Sequence, residues 1–311
     1  MLIAAAVIVF LLLLIYLAMY YSFCVGFKRN ASLKREKKSF ENSKKQAFLP
    51  LVKEGEDFLS SLTIENEEYY IESFDGLRLC ARRIGENKNR LVILFHGFRS
   101  TPQRDFGYIS KNLLEEGYDV LLICERAHSK SEGKYITYGI KEQEDCLYWC
   151  DFAKERLGYE KIAVYGISMG AATVLSACDK GLNEAVYAII ADCGYTSPAD
   201  IIKKILSKRS PFPAELIMKT VNMLFIRPLA KIDVFSPGAE QALKGCRLPV
   251  LFIHGDADTF VPCEMTKRNF AACASEKELL IIKGADHALS FFSEKETVLN
   301  AVTGFLNKYI K

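Results

Sequence analysis

The segment YGISMGAAT (165–173) places one serine, Ser168, between two glycines. Its GISMG part (166–170) directly follows the apolar run KIAVY (161–165) and directly precedes the helical pattern AATVLSACDK (171–180). A serine on such a sharp strand-to-helix turn projects its hydroxyl above the sheet edge, as in a nucleophile elbow. The bare Gly-x-Ser-x-Gly pattern is weak, because an ordinary glycine-rich turn looks the same. Its context favours a nucleophilic Ser168.

A serine hydroxyl needs a base that removes its proton, and the chain has four histidines: His96, His128, His254 and His287. In enzymes whose serine lies on such a nucleophile elbow, its partners follow along the chain in the order acid, then histidine. Only His287, in KGADHALS (283–290), follows every candidate acid, so it is the predicted base. A loop histidine that caps the next helix is the alternative. The dispersed histidines have no HxxH-type spacing, which argues against a metal-dependent hydrolase.

The acid must hold the imidazole from a loop that follows a late strand. Asp256 and Asp258 both lie in HGDADTFVP (254–262), and Asp192 ends an earlier strand. Asp258 is favoured because it lies farther from the strand end. Asp256 is expected to cap its loop through local hydrogen bonds. Asp286 adjoins His287 and is expected to point elsewhere.

Acyl transfer also needs two backbone donors for the oxyanion that forms on the substrate. One is the N–H that follows the nucleophile, which belongs to Met169. The other comes from the loop after the first long parallel strand, here HGFRST (96–101). Phe98 is the predicted donor in that loop. The alternative interpretation of HGF is another glycine turn.

Strand and helix patterns alternate along the chain, which predicts an α/β fold. A β-hairpin with an Asp75-Gly76 turn is predicted at 68–84, and buried strands at 91–97, 119–125, 161–166, 185–192, 248–255 and 278–284. The six runs are rich in Val, Ile, Leu and Phe, which is typical of a parallel sheet covered on both faces. Helices are predicted at about 105–116, 141–157 and 169–179, with a short amphipathic helix at 46–62.

The alternation breaks between Tyr195 and Arg247. This interval contains two helical patterns, 199–208 and 214–226, separated by Ser-Pro-Phe-Pro (210–213). We interpret about 195–247 as a small helical cap inserted between two strands. It carries nine basic and four acidic residues, a net charge of +5. A solvated outer face is the alternative explanation of this charge.

The segments HGF, GISMG, HGDADTFVP and GADHA occur in this order within residues 68–310. In this order they resemble the alpha/beta-hydrolase superfamily, and more narrowly its serine aminopeptidase-like and monoglyceride-lipase-like branch. The loop ERAHSKSEGKY (125–135) is similar to that family's RGHGxSxG loop, with Ala127 and Ser129 in place of two glycines. The resemblance implies an alpha/beta-hydrolase fold with a mostly parallel sheet and helices on both faces. It also implies the catalytic and oxyanion residues Ser168, Asp258, His287, Phe98 and Met169.

The N-terminus predicts a membrane anchor. Residues 1–27 carry no charge and are long enough to cross a bilayer as a helix. A cleaved signal peptide is the alternative, but the basic start is missing and the apolar run is too long. Residues 28–45 form a basic stalk with eight basic and two acidic residues, which places the 46–311 hydrolase domain in the cytoplasm by the positive-inside rule.

Charge and cysteine content narrow the class of protein. The whole chain carries a net charge of +3 and the stalk +6, so the remainder carries −3. A net negative charge does not favour binding to nucleic acid. The ten cysteines are scattered and form no CxxC pair, which is typical of free thiols in a reducing compartment. The pattern therefore predicts neither a disulfide framework nor a cysteine metal site.

Triad chemistry transfers an acyl group to water through an acyl-serine and requires no cofactor. An aminopeptidase would need acidic groups near the cap to hold a substrate amine, and the basic cap disfavours that cation. Our hypothesis is a single-pass, membrane-anchored serine hydrolase that cleaves carboxylic esters, with a small-molecule or lipid-like acyl substrate. The alternatives are an aminopeptidase or amidase of the same fold and a non-catalytic binding protein of that fold. The sequence does not indicate an oligomeric state.

Overall fold

The structure is a computed structural model that describes residues 2–29, 44–62, 68–86 and 89–310. The predicted basic stalk, 28–45, therefore lies mostly outside the described residues. The division of the chain at 27 and 45 stays a prediction.

One eight-stranded sheet forms the centre of the molecule, in the order β1-β2-β4-β3-β5-β6-β7-β8. Its strands are β1 (Glu68–Glu72), β2 (Arg78–Ile84), β3 (Arg90–Phe95), β4 (Asp119–Cys124), β5 (Lys161–Ile167), β6 (Val186–Asp192), β7 (Val250–Gly255) and β8 (Lys277–Ile282). β2 pairs antiparallel with both β1 and β4, and all other pairs are parallel. The predicted hairpin and the mostly parallel sheet are confirmed.

Helices cover both faces of this sheet. The α-helices of the described residues are α1 (Leu2–Phe27), α2 (Leu49–Ser61), α3 (Pro102–Glu115), α4 (Glu142–Glu155), α5 (Met169–Ala177), α6 (Pro198–Arg209), α7 (Ala214–Val221), α8 (Ala239–Ala242), α9 (Cys263–Ala272), α10 (Ser290–Ser293) and α11 (Lys295–Tyr309). Trp149 and Val174 belong to the apolar core on one face, and Phe106 and Val302 to the core on the other. Burial on both faces explains why β3 to β7 are continuously apolar. The prediction of a buried strand at 278–284 is wrong: β8 lies at the edge of the sheet, and Ile282 is its one buried residue.

Two helix boundaries differ from the predicted ones for local reasons. α3 begins at Pro102 rather than near 105, because the Thr101 side chain accepts a hydrogen bond from Arg104 N–H and caps the helix. The second cap helix continues past 226 as a π-helical segment, Asn222–Ala230, that contains Pro228. Proline cannot donate the hydrogen bond of a regular helix, and the wider π turn accommodates it.

The chain inserts α6, α7 and the π-helical segment between β6 and β7, as predicted for the cap. α1 packs against α7 and the π-helical segment at its C-terminal end. Among the described residues, α1 is the one helix long and apolar enough to cross a membrane.

Candidate active site

Ser168 lies on a strained turn between β5 and α5. Its backbone has φ 57° and ψ −110°, a conformation that is costly for a residue with a Cβ atom. The flanking glycines allow the turn to close: a Cβ atom on Gly166 would lie 2.2 Å from the carbonyl carbon of Gly170. One on Gly170 would lie 1.9 Å from the carbonyl oxygen of Phe95 at the end of β3. Any larger side chain at these two positions would therefore collide with the neighbouring strand or helix.

Loops from three strands bring Ser168, His287 and Asp258 together. The Ser168 hydroxyl donates to His287 Nε2 at 2.9 Å, and His287 Nδ1–H donates to Asp258 Oδ2 at 2.6 Å. The carboxyl ends of parallel strands share one edge of the sheet, which explains how residues 119 positions apart meet. This arrangement permits proton transfer from the serine to the imidazole.

The environment of Asp258 keeps its carboxyl group ionised. Its side chain is fully buried, and burial alone would raise the pKa of Asp258. The hydrogen bonds from His254 and His287 outweigh burial and hold that pKa well below its usual range. Asp258 Oδ1 also accepts the backbone N–H groups of Phe260 and Val261, both at 2.8 Å. A charged carboxylate therefore faces His287 at neutral pH.

His254 supports this carboxylate, a role that was not predicted from the sequence. It is fully buried, and its Nε2 lies 3.2 Å from Asp258 Oδ2 and 3.0 Å from the carbonyl oxygen of Val261. Its other ring nitrogen, Nδ1, lies 2.6 Å from the hydroxyl oxygen of Thr266. The signal was present in the sequence as a histidine at the end of a strand, four positions before Asp258.

The other candidate acids lie away from the imidazole nitrogens. Asp256 accepts the Gly284 N–H at 2.6 Å, a loop contact of the kind predicted for it. Asp286 accepts from Thr259, as expected for a side chain that points away from His287 Nδ1. Asp192 lies behind the turn, where its carboxylate accepts the Ser290 hydroxyl at 3.0 Å. Burial raises the pKa of Asp192 to about 7, which limits its repulsion of the Asp258 charge.

The predicted oxyanion donors are the backbone N–H groups of Met169 and Phe98. The first intrahelical hydrogen bond of α5 runs from Ala172 N–H to Ser168 O, so the Met169 N–H is one of the free donors at the helix N-terminus. In the loop after β3, the amides on either side of Phe98 are engaged. Gly97 N–H donates to Asp105 at 2.7 Å, and Arg99 N–H donates to His128 Nε2 at 2.9 Å. These contacts fix the loop around the Phe98 N–H.

Potential metal ligands also meet at this point. Cys193, Asp258 and His287 offer three donor atoms within 4.8 Å of one another, and they form the one such group found in the described part of the chain. Asp258 and His287 are already hydrogen-bonded to each other, and His287 to Ser168. The geometry therefore fits proton transfer better than metal binding.

A surface cavity of about 350 Å³ lies elsewhere, between the start of α6 and the loop before α8. Residues such as Thr196, Phe235 and Gln241 line it, and none of the three hydrogen-bonded residues does. We therefore assign no chemistry to this cavity.

Comparison with known proteins bears on the fold. The family model described as "alpha/beta hydrolase fold" matches residues 90–222, which include Phe98, Ser168 and Met169. An uncharacterized protein of Bacillus subtilis, YqkD, is 25% identical over 227 residues, which are 70% of each chain. The lysophosphatidylserine lipase ABHD12 of Danio rerio is 22% identical over 223 residues, 69% of this chain and 52% of the lipase. A solved esterase of Pyrococcus furiosus superposes with a TM-score of 0.66 at 23% identity, covering 81% of this chain and 94% of the esterase.

The chain therefore has the alpha/beta-hydrolase fold, and its resemblance to that superfamily is confirmed. The narrower resemblance, to the serine aminopeptidase-like and monoglyceride-lipase-like branch, stays a prediction.

Proposed function

We propose that the protein is a membrane-anchored serine hydrolase that cleaves carboxylic esters through an acyl-serine intermediate. The observation that carries this proposal is the pair of hydrogen bonds from Ser168 to His287, at 2.9 Å, and from His287 to Asp258, at 2.6 Å. A serine, a base and an orienting acid at these distances form the geometry of nucleophilic acyl transfer.

In the first half of the reaction, Ser168 Oγ attacks the ester carbonyl carbon while His287 Nε2 takes the hydroxyl proton. Asp258 stabilises the resulting imidazolium through the Nδ1–H hydrogen bond. The carbonyl oxygen becomes an oxyanion, and the N–H groups of Phe98 and Met169 donate to it. When the tetrahedral intermediate collapses, the alkoxide leaves with the proton from His287, and the acyl group remains on Ser168.

In the second half, a water molecule gives a proton to His287 Nε2 and its oxygen attacks the acyl carbon. The same two amides stabilise the second oxyanion. Collapse releases the carboxylic acid and returns the proton to Ser168 Oγ. The net reaction converts the ester and one water molecule into an alcohol and a carboxylic acid, and it needs no oxidant or reductant.

The apolar surroundings of the site favour an apolar acyl group over a charged amine. Met169 and the partly buried Phe98 share an apolar cluster with Met218, Val221 and Phe225 of the cap. A substrate ammonium would lose hydration in these apolar surroundings, which is unfavourable for a charged group. The names of two similar proteins, a lipase and an esterase, point the same way.

Exposed apolar side chains on the cap support a lipid-like substrate. Five of them are 41–70% exposed: Phe212, Leu216, Met223, Leu224 and Leu229. They belong to the cap that packs against the end of α1. A cluster of exposed apolar residues beside a helix that can cross a bilayer is suited to contact with lipid.

The test is covalent labelling of the full chain in detergent with a fluorophosphonate, followed by rate measurements over an ester and amide library. We expect the wild type to react and Ser168→Ala to remain unlabelled, with kcat lowered at least about 10⁴-fold, because no other group replaces the nucleophile. Ser176→Ala is the matched control. Ser176 lies in α5, the helix that begins directly after Ser168, and both serines are 6% exposed.

An unlabelled wild type would instead support the non-catalytic binding protein. Faster cleavage of aminoacyl amides than of short-chain esters would support the aminopeptidase.

The buried end of α1 supports an anchor that is retained rather than removed as a signal peptide. Phe23 and Phe27 are 0% and 4% exposed, so removal of the helix would uncover their apolar partners. We expect the mature protein to keep residues 1–27 and to resist extraction from membranes by alkaline carbonate. Intact-mass measurement checks this directly, and a mass that lacks the N-terminal segment would contradict it.

A further inference from the structure

The C-terminal end of α1 packs against the globular part of the protein and buries Phe23 and Phe27 there, whereas residues 2–17 are exposed. The ring of Phe23 packs against that of Phe225 in the cap, with 6.0 Å between centroids. The ring of Phe27 packs against that of Tyr138, with 5.1 Å between centroids. The helix end is therefore a component of the apolar core that also contains Met169.

Two side chains of the hydrolase domain bind the carbonyl groups at the C-terminal end of α1. Arg99 Nη2–H donates to the carbonyl oxygens of Val25, at 2.6 Å, and Lys28, at 3.2 Å. The Tyr138 hydroxyl donates to the carbonyl oxygen of Gly26 at 3.0 Å. The last carbonyls of a helix have no partner within it, and they form the negative end of its dipole. A guanidinium group is well suited to this position.

The same two side chains enclose Phe98. The Tyr138 ring stacks on the Phe98 ring, with centroids 5.1 Å apart and an interplanar angle of 26°. The Arg99 guanidinium carbon lies 4.7 Å from the Phe98 ring centroid. Arg99 itself has φ 56°, a left-handed conformation that persists only where the surroundings enforce it.

His128 holds this loop from the other side. Its Nε2 accepts the Arg99 N–H, and its Nδ1–H donates to the carbonyl oxygen of Arg126 at 2.9 Å. Burial, together with the nearby His96, lowers the pKa of His128 to about 3. His128 therefore remains neutral and keeps its acceptor at neutral pH.

We propose that the last turn of α1 positions the oxyanion hole, with Arg99 and Tyr138 as the positioning residues that connect it to Phe98. The proposal rests on the proposed function, because Phe98 N–H matters only if an oxyanion forms. The anchor then has two roles: it attaches the protein to the membrane and it completes the active site. Neither positioning residue touches the substrate; both act through the orientation of one backbone N–H.

The experiment uses the full chain in detergent and measures kcat and KM for a soluble short-chain p-nitrophenyl ester. Arg99→Asn removes the guanidinium but tolerates the left-handed backbone. Tyr138→Phe removes only the hydroxyl. Loss of a whole oxyanion donor costs about 10²–10³ in kcat, so we expect decreases of about 10- to 100-fold and about 3- to 10-fold, respectively, with KM changed less than about 3-fold.

The affinity for a trifluoromethyl ketone inhibitor distinguishes a positioning role from a merely structural one. Ser168 Oγ adds to its carbonyl carbon, the proton goes to His287, and the former carbonyl oxygen becomes a stable oxyanion. We expect its affinity to fall in parallel with kcat/KM in both variants, because it mimics the transition state. All values are taken per active site titrated with the fluorophosphonate, which removes any effect of misfolded protein.

Arg82→Gln is the matched control. Arg82 also binds carbonyl oxygens at a helix end, those of Leu59 and Leu62, but it lies away from Phe98. Unchanged kcat and inhibitor affinity in both Tyr138→Phe and Arg99→Asn would overturn the inference while the proposed function stands. An equal decrease in Arg82→Gln would also overturn it. A wild-type protein that does not react with the fluorophosphonate would contradict both the proposed function and this inference.

Discussion

Replacement of Asp258 by Asn is expected to lower kcat by about 10⁴ with little change in the fold. The Asn side chain can still accept the backbone N–H groups of Phe260 and Val261, which now bond to Asp258 Oδ1. Its amide N–H would then face His287 Nδ1 and favour the imidazole tautomer with the proton on Nε2. That tautomer cannot take a proton from Ser168. Steady-state kinetics with a soluble ester, normalised to folded protein, measures the decrease.

The matched control is Asp256→Asn, two residues earlier in the same loop. Asp256 accepts the Gly284 N–H, whereas the His287 imidazole is hydrogen-bonded to Asp258. We expect its kcat to remain within about 3-fold of the wild type, because an Asn oxygen can also accept that bond. Equal decreases in the two variants would mean that Asp258 acts through loop stability rather than through the imidazole.

Replacement of Gly170 by Ala is expected to destabilise the protein by at least about 3 kcal/mol and to abolish labelling by the fluorophosphonate. The added Cβ atom would lie 1.9 Å from the carbonyl oxygen and 2.5 Å from the carbonyl carbon of Phe95. Both are backbone atoms of β3, so α5 has to move away from the sheet. Ser168 and the Met169 N–H move with it. Thermal unfolding in detergent measures the loss of stability.

Gly304 provides the control for this substitution, because it also lies in a helix but has nothing within 4 Å of the position that an added Cβ atom would occupy. We expect Gly304→Ala to leave activity unchanged and to raise stability by up to about 1 kcal/mol, since alanine is the better helix former. If Gly170→Ala melted within a degree of the wild type, the close contact between α5 and β3 would not be a constraint on the fold.

Most of the fold could be predicted because local patterns agree with tertiary structure. The strands β3 to β7 are buried on both faces, so their apolar runs are continuous and easily found. Ser168 could be located because its glycines are needed wherever a strand turns so sharply into a helix. The order of Asp258 and His287 along the chain then restricted the choice of partners.

The features that sequence reasoning missed depend on contacts between distant residues. His254 supports Asp258 only because the loop after β7 turns back over its own strand. The periodicity of apolar residues in the sequence does not predict such a turn. The contacts of Arg99 with the end of α1 join residues 71 and 74 positions apart. An arginine in a loop gives no sign of which carbonyl groups it will reach. The π-helical segment around Pro228 was likewise hidden, because the apolar pattern before it is typical of a regular helix.

The docking of α1 also limits how far the proposed enzyme can search for substrate. A catalytic domain on a long flexible linker would sample a hemisphere above the bilayer and could reach soluble esters or neighbouring membranes. Here the anchor meets the domain at Phe23 and Phe27, before any linker intervenes. If α1 anchors the protein as proposed, this contact would set the height and tilt of Ser168 above the lipid. Such an enzyme would meet its substrates by lateral diffusion in two dimensions, and its rate would depend on their surface density rather than on their bulk concentration.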